Sequence, residues 1–196
     1  PLAVVGVSAL FPGSLDADGF WRDILAGADL LTDVPDTHWL PEDYYDADPT
    51  ARDKTYARRG GFLPRIDFDA LHWGVPPSII EATDTSQLLA LILAEQVLRD
   101  AAQGQFESMD RSRISCILGV TSAQELLGTM VSRLQHPIWR KSLREHGLPE
   151  SEVDSIVERI GDHYVPWQES SFPGLLGNVV AGRIANRLDL GGTNCV

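Results

Sequence analysis

The run Ile114-Ser115-Cys116-Ile117-Leu118-Gly119-Val120 constrains the fold most. A nearly continuous apolar stretch of this length reads as a β-strand covered on both faces, because a half-exposed strand would alternate apolar and polar positions. The residues around it read as helices. From about Asp84 to Ala102, residues Leu88, Leu91, Ile92, Glu95, Val97, Leu98 and Ala102 recur at helical spacing and give one broad face, with Thr83 or Asp84 as the cap. Thr121-Ser122 leads into a second helix, Gln124 to about Leu134. The opening run Leu2-Ala3-Val4-Val5-Gly6-Val7 reads as another buried strand, ended by the turn Phe11-Pro12-Gly13, and Gly192 to Val196 as a third. After Ser14 and a first turn rich in acid, Phe20, Trp21, Ile24 and Leu25 mark a helix with Gly27 at its C-cap. Strands alternating with helices predict an α/β layered fold.

Two stretches interrupt the alternation. Residues 32–69 contain Pro35, Pro41, Pro49 and Pro64, with Trp39, Tyr44, Tyr45 and Tyr56 among charges, and predict a long irregular loop anchored by aromatics. Residues 135–170 predict a helical insertion, with Pro137 and Pro149 at helix starts and Val153, Ile156, Val157 and Ile160 on one face. A last helix, Leu175 to Leu188, carries the small residues Gly177, Ala181, Gly182 and Ala185, which allow another backbone to approach closely.

Charge and motif content remove several function classes. The 16 Lys and Arg stand against 28 Asp and Glu, a net charge of −12, and basic residues cluster only at Arg58-Arg59 and at Arg140-Lys141 with Arg144. A nucleic-acid or anionic-membrane partner needs a broad basic face, so neither is expected. The short clusters suit a local dock for an acidic protein. His38, His72, His136, His146 and His163 show no metal-ligand spacing, and no phosphate-binding glycine motif is present. The turn Gly119-Val120-Thr121-Ser122 reads either as a plain helix start or as a set of backbone donors for an anion. Cys116 and Cys195 sit in apolar runs without a nearby cation, so both are expected to be reduced, buried and inert, as in a cytoplasmic protein. The longest apolar stretch, Leu88 to Ala94, is too short to cross a bilayer.

Four stretches, in order, resemble the N-terminal half of a β-ketoacyl synthase (ketosynthase) domain of type I polyketide and fatty acid synthases. They are LAVVGVSALFPG; GFWRDILAGADLLTDVPDTHW with YYDADP; YARRGGFLPRIDFDALHWGVPPSIIEATDTSQLLAL; and GNVVAGRIANRLDLGG. The resemblance runs from end to end, and the apolar ends of the chain lead us to expect a parent chain continuing past residue 196. TNCV and the insertion at 135–170 look most like iterative synthases of the enediyne or polyunsaturated type, with the enediyne type preferred.

The resemblance implies a thiolase-like layered αβαβα fold, of which this is the N-terminal half, and a homodimer paired through the strand at Cys195-Val196. It implies decarboxylative Claisen condensation of acyl and malonyl thioesters. Those substrates ride on the phosphopantetheine arm of an acyl carrier protein, and no directly bound cofactor is expected. Placing GGTNCV on the family pattern puts the nucleophilic cysteine roughly five residues past Val196, so no catalytic residue is expected within the chain. What the chain is expected to supply is acyl-pocket surface. Thr121 and Ser122 match the family's turn at the pocket floor, and Phe172 lies near where a partner-subunit side chain reaches across; ordinary packing is the competing account of all three. A non-catalytic, chain-length-factor-like dimer partner is the alternative role, separated from the condensing one by Cys against Gln or Gly at the elbow beyond Val196. A thiolase-fold acyltransferase is a third.

Overall fold

The computed structural model describes residues 1–121 and 124–196. It forms two compact units, one of residues 1–67 and 96–106, the other of residues 68–95 and 107–196.

The first unit begins without regular structure. Leu2, Val4, Val5 and Val7 are exposed, and the expected opening strand is not formed. A strand exists only through its neighbours, and here the run is held by Val7 N–H donating to Asp100 Oδ2 (2.8 Å) and by close approach at Gly6, where a Cβ would lie 2.7 Å from the Val97 carbonyl oxygen. Helix α1, Ala17–Ala26, follows the sequence closely. Asp16 caps it by accepting from Gly19 N–H at 2.6 Å, and Gly27 ends it at φ 61° with its N–H on the Ile24 carbonyl. Phe20 stacks on Phe11 with ring centroids 3.8 Å apart.

Residues 32–69 carry little regular structure, and the segment is tied near its start and its end. Strands β1 (Thr32–Asp33) and β2 (Arg59–Gly60) pair antiparallel, and Val34 N–H extends the ladder to the Arg58 carbonyl at 2.8 Å. Between them lie the single turn α2, Pro41–Tyr44, and a bridge between Tyr45 and Thr55. Val34 is the buried anchor of the loop, at 5% exposure.

The second unit holds most of the buried side chains. It contains α3 (Pro77–Ile80) and the start of the long helix α4 (Thr85–Ala102), whose last turns belong to the first unit. Asp84 supplies the cap, accepting from Ser86 N–H at 3.0 Å. Strand β3 covers only Cys116–Ile117, shorter than the apolar run predicts, and pairs parallel with β4, Asn194–Cys195. The ladder is prolonged by Cys116 N–H to Thr193 O (2.9 Å), Leu118 N–H to Cys195 O (3.0 Å) and Gly192 N–H to Ile114 O (3.0 Å). Gly191 and Gly192 permit this approach: a Cβ at either would sit 2.5 Å from the carbonyl oxygen of Ser112 or Ile114.

Between β3 and β4 run α5 (Gln124–Ser132), α6 (His136–Glu145), α7 (Glu150–Gly161), α8 (Ser171–Leu175) and α9 (Val179–Arg187). Helices α6 and α7 lie within residues 135–170. Val153 and Val157, one turn apart on α7, are buried, and Arg144 and Arg140 of α6 pair with Glu150 and Asp154. The last predicted helix, 175–188, starts later than expected, as α9 at Val179. Leu176, extended at φ −82° and ψ 115°, separates it from the five-residue turn α8. Val180, Ala181, Ile184 and Ala185 of α9 are buried, and the helix packs on β3 and β4.

Candidate functional site

Two of the residues expected to line a pocket, Thr121 and Phe172, belong to the second unit, in the connection after β3 and on α8. Thr121 is exposed in the connection after β3, and Ser122 lies outside the described residues. Phe172 is 63% exposed on α8. The two connections approach each other through their neighbours, since a Cβ at Gly177 would lie 3.6 Å from Val120 Cγ1. Thr121 follows that contact by one residue, and Phe172 precedes it by five.

The turn bearing Phe172 is anchored from below. Gln87, in the first turn of α4, is 1% exposed. Its Nε2 donates to the carbonyls of Gly174 (2.8 Å) and Pro173 (2.9 Å), with the Leu176 carbonyl at 3.4 Å. The Asp84 N–H donates to the same Gly174 carbonyl at 3.1 Å. Ser171 is fully buried, and its Oγ accepts from Gln168 N–H at 2.9 Å. Farther out, Gln168 Nε2 donates to the Ser78 carbonyl at 3.3 Å. Sequence reading placed Phe172 but missed this support. The available signal was a glutamine standing one helical turn before the fully buried Leu91, on the side of α4 that should be apolar.

The two thiols are free. Cys116 is buried, and burial first, then the negative charge of a Cys195 thiolate, push its pKa up, so that it holds its proton and is a poor nucleophile. Cys195 differs from expectation: it is exposed. Alternation along β4 explains it. Asn194 faces α9, with its Oδ1 3.8 Å from where a Gly182 Cβ would be, so Cys195 projects to the opposite side together with its register partner Ile117, 73% exposed.

Among the described residues no group of three or more His, Cys, Asp or Glu side chains is placed to hold a metal ion, and no helix is long and apolar enough to cross a membrane. A cleft of 640 Å³ in the first unit lies against His38, Trp39, Asp43, Tyr44 and Thr55, and a groove of 270 Å³ against α7 at Ile156, Arg159, Ile160 and His163. Neither takes its lining from Thr121 or Phe172.

Among solved structures, the chain superposes on the PfaC keto synthase–chain length factor protein with a TM-score of 0.76, at 17% identity over 99% of this chain and 20% of that one. It superposes on the oxazolomycin ketosynthase domain OzmH KS7 of Streptomyces albus with a TM-score of 0.70, at 22% identity over 97% of this chain and 27% of that one. These likenesses show the fold: the mixed α/β N-terminal part of a ketosynthase, as the sequence predicts. In sequence, the chain is 37% identical over 195 residues to a polyunsaturated fatty acid synthase subunit from Thraustochytrium sp., covering 100% of this chain and 7% of that protein. It is 38% identical over 107 residues, 53% of the chain, to the polyketide synthase ThaQ of Burkholderia thailandensis, of which that is 5%. The chain thus spans a small part of the relatives it matches. The family described as Beta-ketoacyl synthase, N-terminal domain, matches residues 1–196, and the chain belongs to that family.

Proposed function

We propose that the chain is the N-terminal portion of a ketosynthase-type domain within a larger synthase that lengthens acyl chains held as phosphopantetheine thioesters on an acyl carrier protein. The supporting observation is the family match over residues 1–196 together with 37% identity along nearly the whole chain to a fatty acid synthase subunit. The domain works as a dimer in the cytoplasm, on acyl and malonyl thioesters, and residues beyond 196 complete it.

In this reading the chain's own residues shape a site and do not react. Thr121, Ser122 and Phe172 border the acyl channel, where an aromatic side chain sets the length of hydrocarbon that fits. Specificity there comes from volume, and one methylene more or less is worth about 1–3 kcal/mol. Replacing Ser122 with Phe should shorten the products of the parent synthase; an unchanged product spectrum removes Ser122 from the pocket.

Such a domain fills one of two roles. As a condensing synthase it carries out decarboxylative Claisen condensation: a cysteine thiolate takes the acyl group and frees the carrier's thiol, malonyl loses CO₂, and the resulting carbanion attacks the acyl carbon and expels the cysteine thiolate, leaving a β-ketoacyl thioester. TNCV and the helices α6 and α7 suggest an iterative assembly of the enediyne type. The relative aligned over the whole chain belongs to a polyunsaturated fatty acid synthase, which favours the iterative class without favouring its enediyne members. As a non-condensing, chain-length-factor-like partner it dimerises and shapes the channel. What supports this second role is the likeness in fold to the PfaC keto synthase–chain length factor protein. Incubating the parent protein with carrier-bound acyl and malonyl thioesters decides between them. A β-ketoacyl product establishes condensation, and its absence with dimerisation intact establishes the partner role.

A further inference from the structure

We propose that Gln87 is a positioning residue for acyl chain length, acting through the three carbonyls by which it holds the Phe172 turn. The inference rests on the reading of Phe172 as pocket surface. Phe172 is exposed, yet the residues on either side of it are not free to move: Ser171 is fully buried, and the carbonyls of Pro173 and Gly174 both accept from Gln87 Nε2. An exposed aromatic on so short a helical turn would ordinarily sample several directions, because the turn makes too few bonds of its own.

The chemistry of the amide leaves one arrangement. The side-chain nitrogen has two hydrogens for three carbonyl oxygens, at 2.8, 2.9 and 3.4 Å, so both are used. Rotating the amide would set its oxygen against three oxygens. The observed orientation therefore persists even though Gln87 Oε1 is buried without a hydrogen-bond partner among the described residues. A buried acceptor left unmatched costs stability. Methionine would fill the same volume and remove the unmatched oxygen, but it would leave the carbonyls of Pro173 and Gly174 without this donor, so the glutamine is kept for the bonds it gives the turn. What the glutamine supplies is direction: a fixed seat for the backbone on the C-terminal side of Phe172. The Asp84 N–H on the Gly174 carbonyl and the Gln168 tie to Ser78 complete the seat.

The test uses the full-length synthase in its dimeric form, with short- and long-chain acyl N-acetylcysteamine thioesters as probes, and reads the ratio of kcat/KM for long over short chains. Phe172→Ala, which removes a whole phenyl ring, should raise this ratio at least about tenfold, the lower end of what one methylene decides. Gln87→Met should shift it in the same direction, with the short-chain kcat preserved. A change of stability alone would not produce that selectivity. Should Gln87→Met fail to fold, Gln168→Ala, which removes only the exposed outer tie, should give a smaller shift of the same sign. A shift with Phe172→Ala and none with a folded Gln87→Met, or none with Gln168→Ala where Gln87→Met is lost, overturns the role of Gln87. No shift with Phe172→Ala overturns the pocket reading and the inference with it.

Discussion

Gly174 brings the backbone of α8 against the turn before α4 so closely that a Cβ would lie 1.7 Å from the Ala82 carbonyl oxygen. That atom belongs to backbone and cannot rotate away. Gly174→Ala should therefore cost at least about 3 kcal/mol, the upper end of what overpacking does elsewhere, read as a fall in the urea unfolding midpoint. Gln87→Met should cost less, about 1–2 kcal/mol for the lost buried bonds, because removing the unpaired Oε1 offsets part of the loss. Cys116 gives a third residue-level expectation. With its pKa raised by burial, it should resist alkylation in the native protein and react at the rate of a free thiol once the chain is unfolded, as followed by iodoacetamide labelling and mass spectrometry. Cysteine chemistry was half legible in advance. Burial of Cys116 follows from its apolar neighbours, whereas the exposure of Cys195 depends on which face of β4 turns toward α9, and composition does not carry that.

Among the elements, helices were the more legible because their signals are local. Helix α1 has its acidic cap and its glycine stop in sequence, and α6 and α7 start at Pro137 and Pro149 or beside them. Gly27→Ala should destabilise by about 1 kcal/mol. The added methyl meets nothing within 4 Å, so the cost comes from φ 61° alone. Strands were less legible because pairing is not local: Leu2–Val7 and Ile114–Val120 have similar apolar character, yet only Cys116–Ile117 is strand. The joint between α6 and α7 makes a pH prediction. Hydrogen bonding to Arg144, at 2.8 Å from its Nε to Oε2, lowers the pKa of Glu150. A carboxylate whose folded value is depressed stabilises above its unfolded value and loses that contribution as pH falls through the folded one. The small difference in melting temperature between the parent and Glu150→Gln should thus be present at neutral pH and close on acidification.

At the scale of the whole molecule, family membership was legible because it is carried by several motifs in order, each too weak alone. The class was visible in the alternation of helical and apolar runs, and the match over residues 1–196 agrees with it. The candidate site was legible only in outline. Thr121 and Phe172 were named by resemblance, while the glutamine that seats the Phe172 turn lies 85 residues before it in the chain, a separation that no local pattern spans. The central claim is that this portion frames an acyl-thioester site and contributes no nucleophile to it. Its most direct test is peptide-mapped mass spectrometry of the parent protein after incubation with a medium-chain acyl thioester. The account predicts that Cys116 and Cys195 stay unmodified and that any acyl adduct falls on a residue beyond Val196. An acyl group on Cys116 or Cys195 would contradict it.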